Sequence, residues 1–157
     1  MIELRKVDLD NVDEVVALAV REDQQSFVAS NSYSIIEAFA LRESGYVALP
    51  FAIYADDVPV GFAMFGYDHM EGDPEIARGN YVLVRFMIDR RFQGRGYGKV
   101  ALQKCLEYLR SFPCGPAKCV WLSYEPDNAV AQAMYHAAGF AENGEMCDGE
   151  TVAVLEL

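Results

Sequence analysis

The chain has 157 residues and carries 24 acidic against 13 Lys and Arg side chains, a formal net charge of −11. Such an acidic surface argues against nucleic acid, whose phosphates need a basic face; it either draws in a cationic partner at long range or serves solubility alone. The length suits one domain over residues 1–157, and neither a signal peptide nor an apolar run able to span a bilayer is expected, so no membrane role follows.

Ile2 to Val7 alternates and predicts a first strand, with Asp8 to Asn11 as turn and cap before a helix over Val12 to Val20. Its buried stripe is Val12, Val15, Val16, Leu18 and Ala19. Arg21 to Tyr33 is polar and then carries Phe27 and Val28; Ser32 or Ser34 can cap a second helix that reaches about Glu43 and stops at Ser44-Gly45. That connection is either one wall of a pocket or a solvated loop. Phe51–Ala55 and Pro59–Tyr67 flank Asp56-Asp57 and predict an antiparallel hairpin. The acidic, turn-rich stretch Asp68–Gly79 leads to Tyr81–Asp89, where Val82, Val84, Phe86 and Ile88 alternate with Leu83, Arg85 and Met87. β-Branched and aromatic content suits that strand to burial on both faces. Helical spacing resumes at Val100 through Leu102, Cys105, Leu106 and Leu109 and ends near Ser111; Pro113, Gly115 and Pro116 then stiffen the approach to a strand at Lys118–Tyr124. Strand, helix and strand in succession make a βαβ crossover, with the two strands parallel and the connection right-handed. A helix follows at Ala129–Ala138, capped by Gly139. Phe140 restarts an extended segment, Glu142 to Glu150 is expected to turn, and Thr151–Leu157 closes the chain as a strand. The element order is that of an α+β layer arrangement.

Between the central strand and its helix stands Gln93-Gly94-Arg95-Gly96-Tyr97-Gly98-Lys99. Alternate glycines let backbone N–H groups approach a ligand, and the helix start adds unpaired donors and a positive dipole end, which together make a phosphate cradle. A Walker A loop is excluded because Gln93 stands at its first glycine and Val100 follows Lys99. A Rossmann fingerprint is excluded because Lys99 occupies its last glycine. The pattern that does fit is Q/R-x-x-G-x-G/A, through Gln93, Gly96 and Gly98, and a tight structural turn could use the same residues. The second motif is N-x6-Y-x3-G-F, carried by Asn128, Tyr135, Gly139 and Phe140.

In this setting the two motifs resemble those of the GNAT N-acetyltransferases. NSYSIIEAF, ALPFAIY, GFAMFGYD, RFMIDRRFQGRGYG, LSYEPDN and DGETVAVLEL together look like the bacterial spermine/spermidine acetyltransferases of the Blt type. The resemblance covers the whole chain. It implies a GNAT fold: a mixed, mostly antiparallel twisted sheet with a central parallel βαβ crossover and helices on both faces. It further implies acetyl-CoA as co-substrate, with Phe86, Met87 and Ile88 along the pantetheine arm and Gln93, Gly94, Arg95, Gly96, Tyr97, Gly98 and Lys99 around the pyrophosphate. Asn128 would bond the arm or adjacent backbone, Tyr135 would protonate the departing thiolate, and the backbone N–H near Ile88 would stabilise the oxyanion.

The acceptor that the resemblance implies is a primary amine, which must lose a proton. Relatives often carry a glutamate five residues before the Asn of the second motif; here that position is Ser123, leaving Glu125 as a base only if the strand runs on. Arg85 and Asp89 either pair or line the acceptor channel. For a polyamine the carboxylates of Glu22, Asp23, Glu37 and Asp68, with the wall of Asn31 and Tyr33, form a candidate acidic channel, each charge equally readable as solvated surface. Other amines, such as a protein N-terminus or an aminoglycoside, and a non-catalytic acyl-CoA sensor are the alternatives. The cysteines at 105, 114, 119 and 147 form no C-x-x-C and only His69 and His136 are present, so a reducing cytoplasm and no metal are expected. A homodimer is implied by the resemblance alone.

Overall fold

The computed structural model describes residues 1–157. Seven strands, β1 (Ile2–Lys6), β2 (Leu49–Ala55), β3 (Val58–Tyr67), β4 (Tyr81–Ile88), β5 (Cys119–Tyr124), β6 (Ala141–Cys147) and β7 (Glu150–Glu156), form one sheet in the order β1-β2-β3-β4-β5-β7-β6. Every neighbouring pair is antiparallel except β4 and β5, which the crossover helix makes parallel. The helices are α1 (Val12–Ala17), α2 (Asn31–Glu43), α3 (Tyr97–Leu109) and α4 (Ala129–Ala138). The α+β class and the mixed sheet are those expected.

Helices cover both faces. Ala101, Leu102, Cys105, Leu106 and Leu109 of α3 and Tyr135 of α4 pack with Phe51, Ile53, Phe65 and Leu122 on one face. Val15 of α1 and Ala38 of α2 bury Ala52, Tyr54, Phe62, Met64 and Met87 on the other. Toward β7 that second face has only a small cluster, in which Ala77 from the β3–β4 connection meets Trp121 and Val152. This thinner cover leaves room for a site.

Four expectations change. The first helix ends at Ala17 because Leu18 turns extended, with φ −68° and ψ 135°, so Leu18 is buried from a loop while Val16 faces solvent. Ser30, not Ser32 or Ser34, caps α2: its side chain accepts the Tyr33 N–H, and Ser34 is fully buried with its hydroxyl donating to the Ser30 carbonyl. The glycine turn is shorter, since α3 begins at Tyr97 with Gly96 as its cap. Much of the stretch expected to turn after Phe140 is β6, an edge strand of exposed residues whose pairing with β7 is broken between Glu142 and Met146. With no buried alternating face, β6 leaves no period-2 signal.

The strict alternation of β4 also fails. Arg85 faces Met64 but Leu83 faces Phe65, so Val84 is a bulge. Tyr81, Leu83 and Ile88 therefore point toward α3, while Val84 and Met87 pack toward α1 and α2.

Candidate active site

β4 and β5 pair only at Tyr81–Val120 and Val82–Trp121. Beyond that point they part, and the gap opens into a cavity of about 1010 Å³ walled by β4, β5, the glycine loop, the N-terminal part of α4 and the segment from Val20 to Ala29. The parting leaves half of the β4 backbone unsatisfied by a ladder. Asp89 N–H donates to the Val60 carbonyl at 2.8 Å, which makes Gly61–Ile88 a non-hydrogen-bonded pair. Alternation then turns the N–H and C=O of Ile88 and Phe86 toward the open edge and spends those of Met87 on β3, so Met87 does not present backbone groups to the cavity although its side chain lines it.

The glycine loop is built as expected but not all of it faces inward. Gly94 and Gly96 have φ of +75° and +81°, a left-handed backbone that other residues enter only with strain. Gln93, Gly94, Gly96, Tyr97 and Gly98 line the cavity; Arg95 and Lys99 do not. Arg95 is exposed, donates to the Arg91 carbonyl at 3.1 Å and lies over the Phe92 ring, while Lys99 borders a small separate cleft between α3 and α4. The Gln93 side chain acts as a clamp: its amide donates to the Ile88 carbonyl and to Gln24, both at 2.9 Å, and it accepts from Arg21 at 3.0 Å. It thereby ties the loop to β4 and to the short 3₁₀ turn Glu22–Gln24. Below it Asp89, 2% exposed, accepts from the backbone N–H groups of Ala19 and Arg91 and from the Arg91 guanidinium at 2.8 to 2.9 Å. Burial pushes the Asp89 carboxyl up, but those bonds outweigh it and hold the group below the usual carboxylate range.

On the opposite side of the gap Asn128 caps α4, its Oδ1 accepting the Ala131 N–H at 3.2 Å. About two turns along that helix, Tyr135 is buried, stacked on Tyr124 and edge-on to Phe140. Its hydroxyl makes no hydrogen bond within the protein, and burial, then Cys105 and Glu150, push the phenol well above its ordinary value. Tyr124 is held up to about 12 by burial and by donating to Glu142 at 2.8 Å.

The acceptor side departs most from expectation. Glu22 and Asp23 are exposed on the 3₁₀ turn outside the cavity, Asp23 pairing with Arg21 at 3.2 Å. Asn31 is a buried pin, its amide donating to the Val15 carbonyl at 2.9 Å, and Tyr33 is 55% exposed on the outer face of α2. Arg85 does not pair with Asp89; it meets Glu37 at 3.2 Å, and both line the cavity. Asp68, Ser123 and Glu125 line it as well, Asp68 accepting the Gly79 N–H at 2.8 Å. Three more carboxylates, Asp73, Asp148 and Glu150, were not singled out from the sequence. Glu150 opens an ordinary alternating strand and belongs to neither the glycine loop nor the Asn-Tyr motif; only the pairing of β7 with β5 reveals that it accepts from the Ser123 hydroxyl at 3.1 Å. Two buried donors in the wall, Arg85 Nε and Trp121 Nε1, have no protein partner. No group of three His, Cys, Asp or Glu side chains is placed to hold a metal ion, and no helix is long and apolar enough to cross a membrane.

Comparison with known proteins fixes what this architecture belongs to. The family model described as the acetyltransferase (GNAT) family matches residues 12–140, which include both motifs and the parted strands. The chain belongs to the acetyltransferase (GNAT) family. The acetyltransferase is 34% identical, over 99% of both chains, to the spermine/spermidine N(1)-acetyltransferase of Bacillus subtilis strain 168. It is equally similar to a probable spermine N(1)-acetyltransferase of Bacillus subtilis subsp. natto, again at 34% over 99% of both chains. Its fold matches that of an aminoglycoside acetyltransferase solved with coenzyme A, with a TM-score of 0.80 at 15% identity over 99% of this chain and 95% of that one. It also matches the PaiA N-acetyltransferase of Thermoplasma acidophilum, likewise in complex with coenzyme A, with a TM-score of 0.69 at 14% identity over 100% and 99%.

Proposed function

We propose that this acetyltransferase, as a single catalytic domain, uses acetyl-CoA to acetylate a primary amine of a small polyamine of the spermine and spermidine kind. The observation that carries the reading is one cavity joining two unlike walls: an unpaired strand edge with a glycine cradle on one side and carboxylates on the other. The relative of 34% identity, matched from end to end, gives the same acceptor class.

The first wall suits coenzyme A. The open N–H and C=O of Phe86 and the N–H of Ile88 run along β4 as an added strand would require, so an amide-bearing arm can pair with them, the Ile88 carbonyl being taken by Gln93. Gly94, Gly96 and the free N–H groups at the start of α3 offer donors and a positive dipole end to a pyrophosphate. Gly98 keeps that first turn slim where it faces Met134 and Ile88. Acetyl-CoA, when bound, supplies a thioester carbonyl open to nucleophilic attack. The Ile88 N–H, unclaimed by β3, can donate to the carbonyl oxygen as charge develops there. The Tyr135 phenol keeps its proton throughout the neutral range and can deliver it to sulfur.

The second wall suits a polycation. Glu37, Asp68, Asp73, Glu125, Asp148 and Glu150 face the cavity against Arg21 and Arg85, so a slender chain of ammonium groups finds a net negative lining. Four free cysteines support a reducing, cytoplasmic setting. A steady-state assay of CoA thiol release with spermine, spermidine, putrescine, an aminoglycoside and an amino-terminal peptide tests the reading. Turnover on spermine or spermidine at the lowest KM supports it. Preference for the aminoglycoside or the peptide would move the acceptor, and acetyl-CoA binding without turnover would leave a sensor.

A further inference from the structure

We propose that Glu150, held by Ser123, is the base that takes the proton from the incoming ammonium. The assignment rests on the acetyl-transfer reading and adds to it the proton's destination.

Strand alternation puts Trp121 and Ser123 of β5 and Glu150 and Val152 of β7 on one face of the sheet, the face away from α3 and α4. Tyr135 reaches the gap from the other face, yet close enough for Glu150 to act on its phenol. The cavity therefore brings a proton donor and a carboxylate toward the parted strands from opposite sides. The remaining carboxylates of the lining are committed or loose. Glu37 is paired with Arg85, Asp68 accepts the Gly79 N–H, and Asp73 accepts the Met70 N–H at 2.9 Å. Asp148 is exposed, and Glu125 lies past the end of β5 with no hydrogen bond to fix it. Glu150 alone is half-buried, oriented by a hydroxyl at 3.1 Å and free of any cation within salt-bridge distance.

Its surroundings favour uptake of a proton. Burial raises the carboxyl; Ser123 lowers it, Glu125 beyond β5 raises it, Arg85 on β4 lowers it and Asp148 in the β6–β7 turn raises it, for a net upward shift. Tyr135 on α4 and Cys147 on β6 are the other titratable groups that feel it. An amine with a pKa near 10 arrives as ammonium at neutral pH. One N–H proton passes to Glu150, and the freed lone pair forms the C–N bond while the C–S bond breaks. The sulfur takes the Tyr135 proton, and the nitrogen's second proton restores the phenol. Glu150 then releases its proton to water through its exposed side, so one proton leaves per turnover. Ser123 is a positioning residue.

The test combines titration with kinetics. Carbon-13 NMR of the glutamate carboxyls, in protein free of acetyl-CoA, reads Glu150 through the resonance that E150Q removes. We expect its midpoint above the ordinary glutamate value and higher again in S123A. In the spermidine assay, E150Q should lower kcat about 10²-fold, flatten the acid limb of kcat/KM and leave the acetyl-CoA KM within about twofold. S123A should keep the limb and move it to higher pH. If E150Q does not fold, E150D retains the base one methylene short and should lower kcat about tenfold with the limb kept. Wild-type kcat and acid limb in E150Q, or an ordinary Glu150 midpoint, would overturn the assignment while the acetyl-transfer reading stands. A wild-type protein that acetylates no amine would overturn both.

Discussion

The two walls of the cavity are made of different material. One is backbone: the open edge of β4, two left-handed glycines and a helix start, fixed by the Gln93 clamp and the buried Asp89. The other is side chain, with carboxylates from α2, the β3–β4 connection, the end of β5, the β6–β7 turn and the start of β7, of which Glu37, Asp68, Asp73 and Glu150 have a bonding partner and Glu125 and Asp148 have none. A backbone wall recognises any ligand with amides and phosphates and tolerates sequence change wherever glycine is not needed. A side-chain wall sets which amine enters, and it can be altered one charge at a time. Substitutions on one side should therefore move the constants of one substrate and spare those of the other.

The largest separation is expected at the seam. Tyr135→Phe removes only a hydroxyl without a protein partner, so kcat should fall by about 10²-fold while both KM values and the thermal midpoint hold. Unaltered turnover would remove the acid role. Asp89→Ala strips the acceptor from two backbone N–H groups and a guanidinium and should cost about 2 to 4 kcal/mol in a urea titration, with the acetyl-CoA KM rising as the end of β4 loosens. The carboxyl sits below its usual range, so its contribution is whole above the unfolded pKa of about 3.9 and is lost as pH falls through the lower folded value. Wild type should lose stability across that acid window by more than Asp89→Ala does.

Gly96→Val forces a β-branched residue to φ +81°, a strain of about 1 to 2 kcal/mol, and should raise the acetyl-CoA KM about tenfold with the spermidine KM unmoved. Asp73→Asn and Asp148→Asn should each raise the spermidine KM about two- to fivefold and leave acetyl-CoA alone, an effect that shrinks with added salt. An equal change in both KM values for any of these would break the division between the walls.

Legibility in the sequence follows the same division. The cradle could be found because positive φ calls for glycine at fixed spacing, and Asn128 and Tyr135 because a helix holds them in register with Gly139. Arg95 and Lys99 lie within that motif but face away, since a helix start points successive side chains to different sides. Glu22 and Asp23 looked like channel residues because the chain nearby does form a cavity wall, built from Val20, Arg21 and Gln24 instead. β6 escaped notice because an exposed edge strand needs no apolar alternation, and without β6 the turn that carries Asp148 could not be placed.

By itself the sequence determined the element order as far as Phe140, the parallel crossover and the glycine turn, which depend on local conformation or on residues a few positions apart, while the likeness to the family rested on stretches spread along the whole chain. Only the tertiary structure decided which carboxylates share the cavity. Alternation along a strand tells that Glu150 and Val152 lie on one face, but not which strand is the neighbour. The order β5-β7-β6 places β7 beside β5, and a hydroxyl 27 residues away in sequence becomes the partner of Glu150.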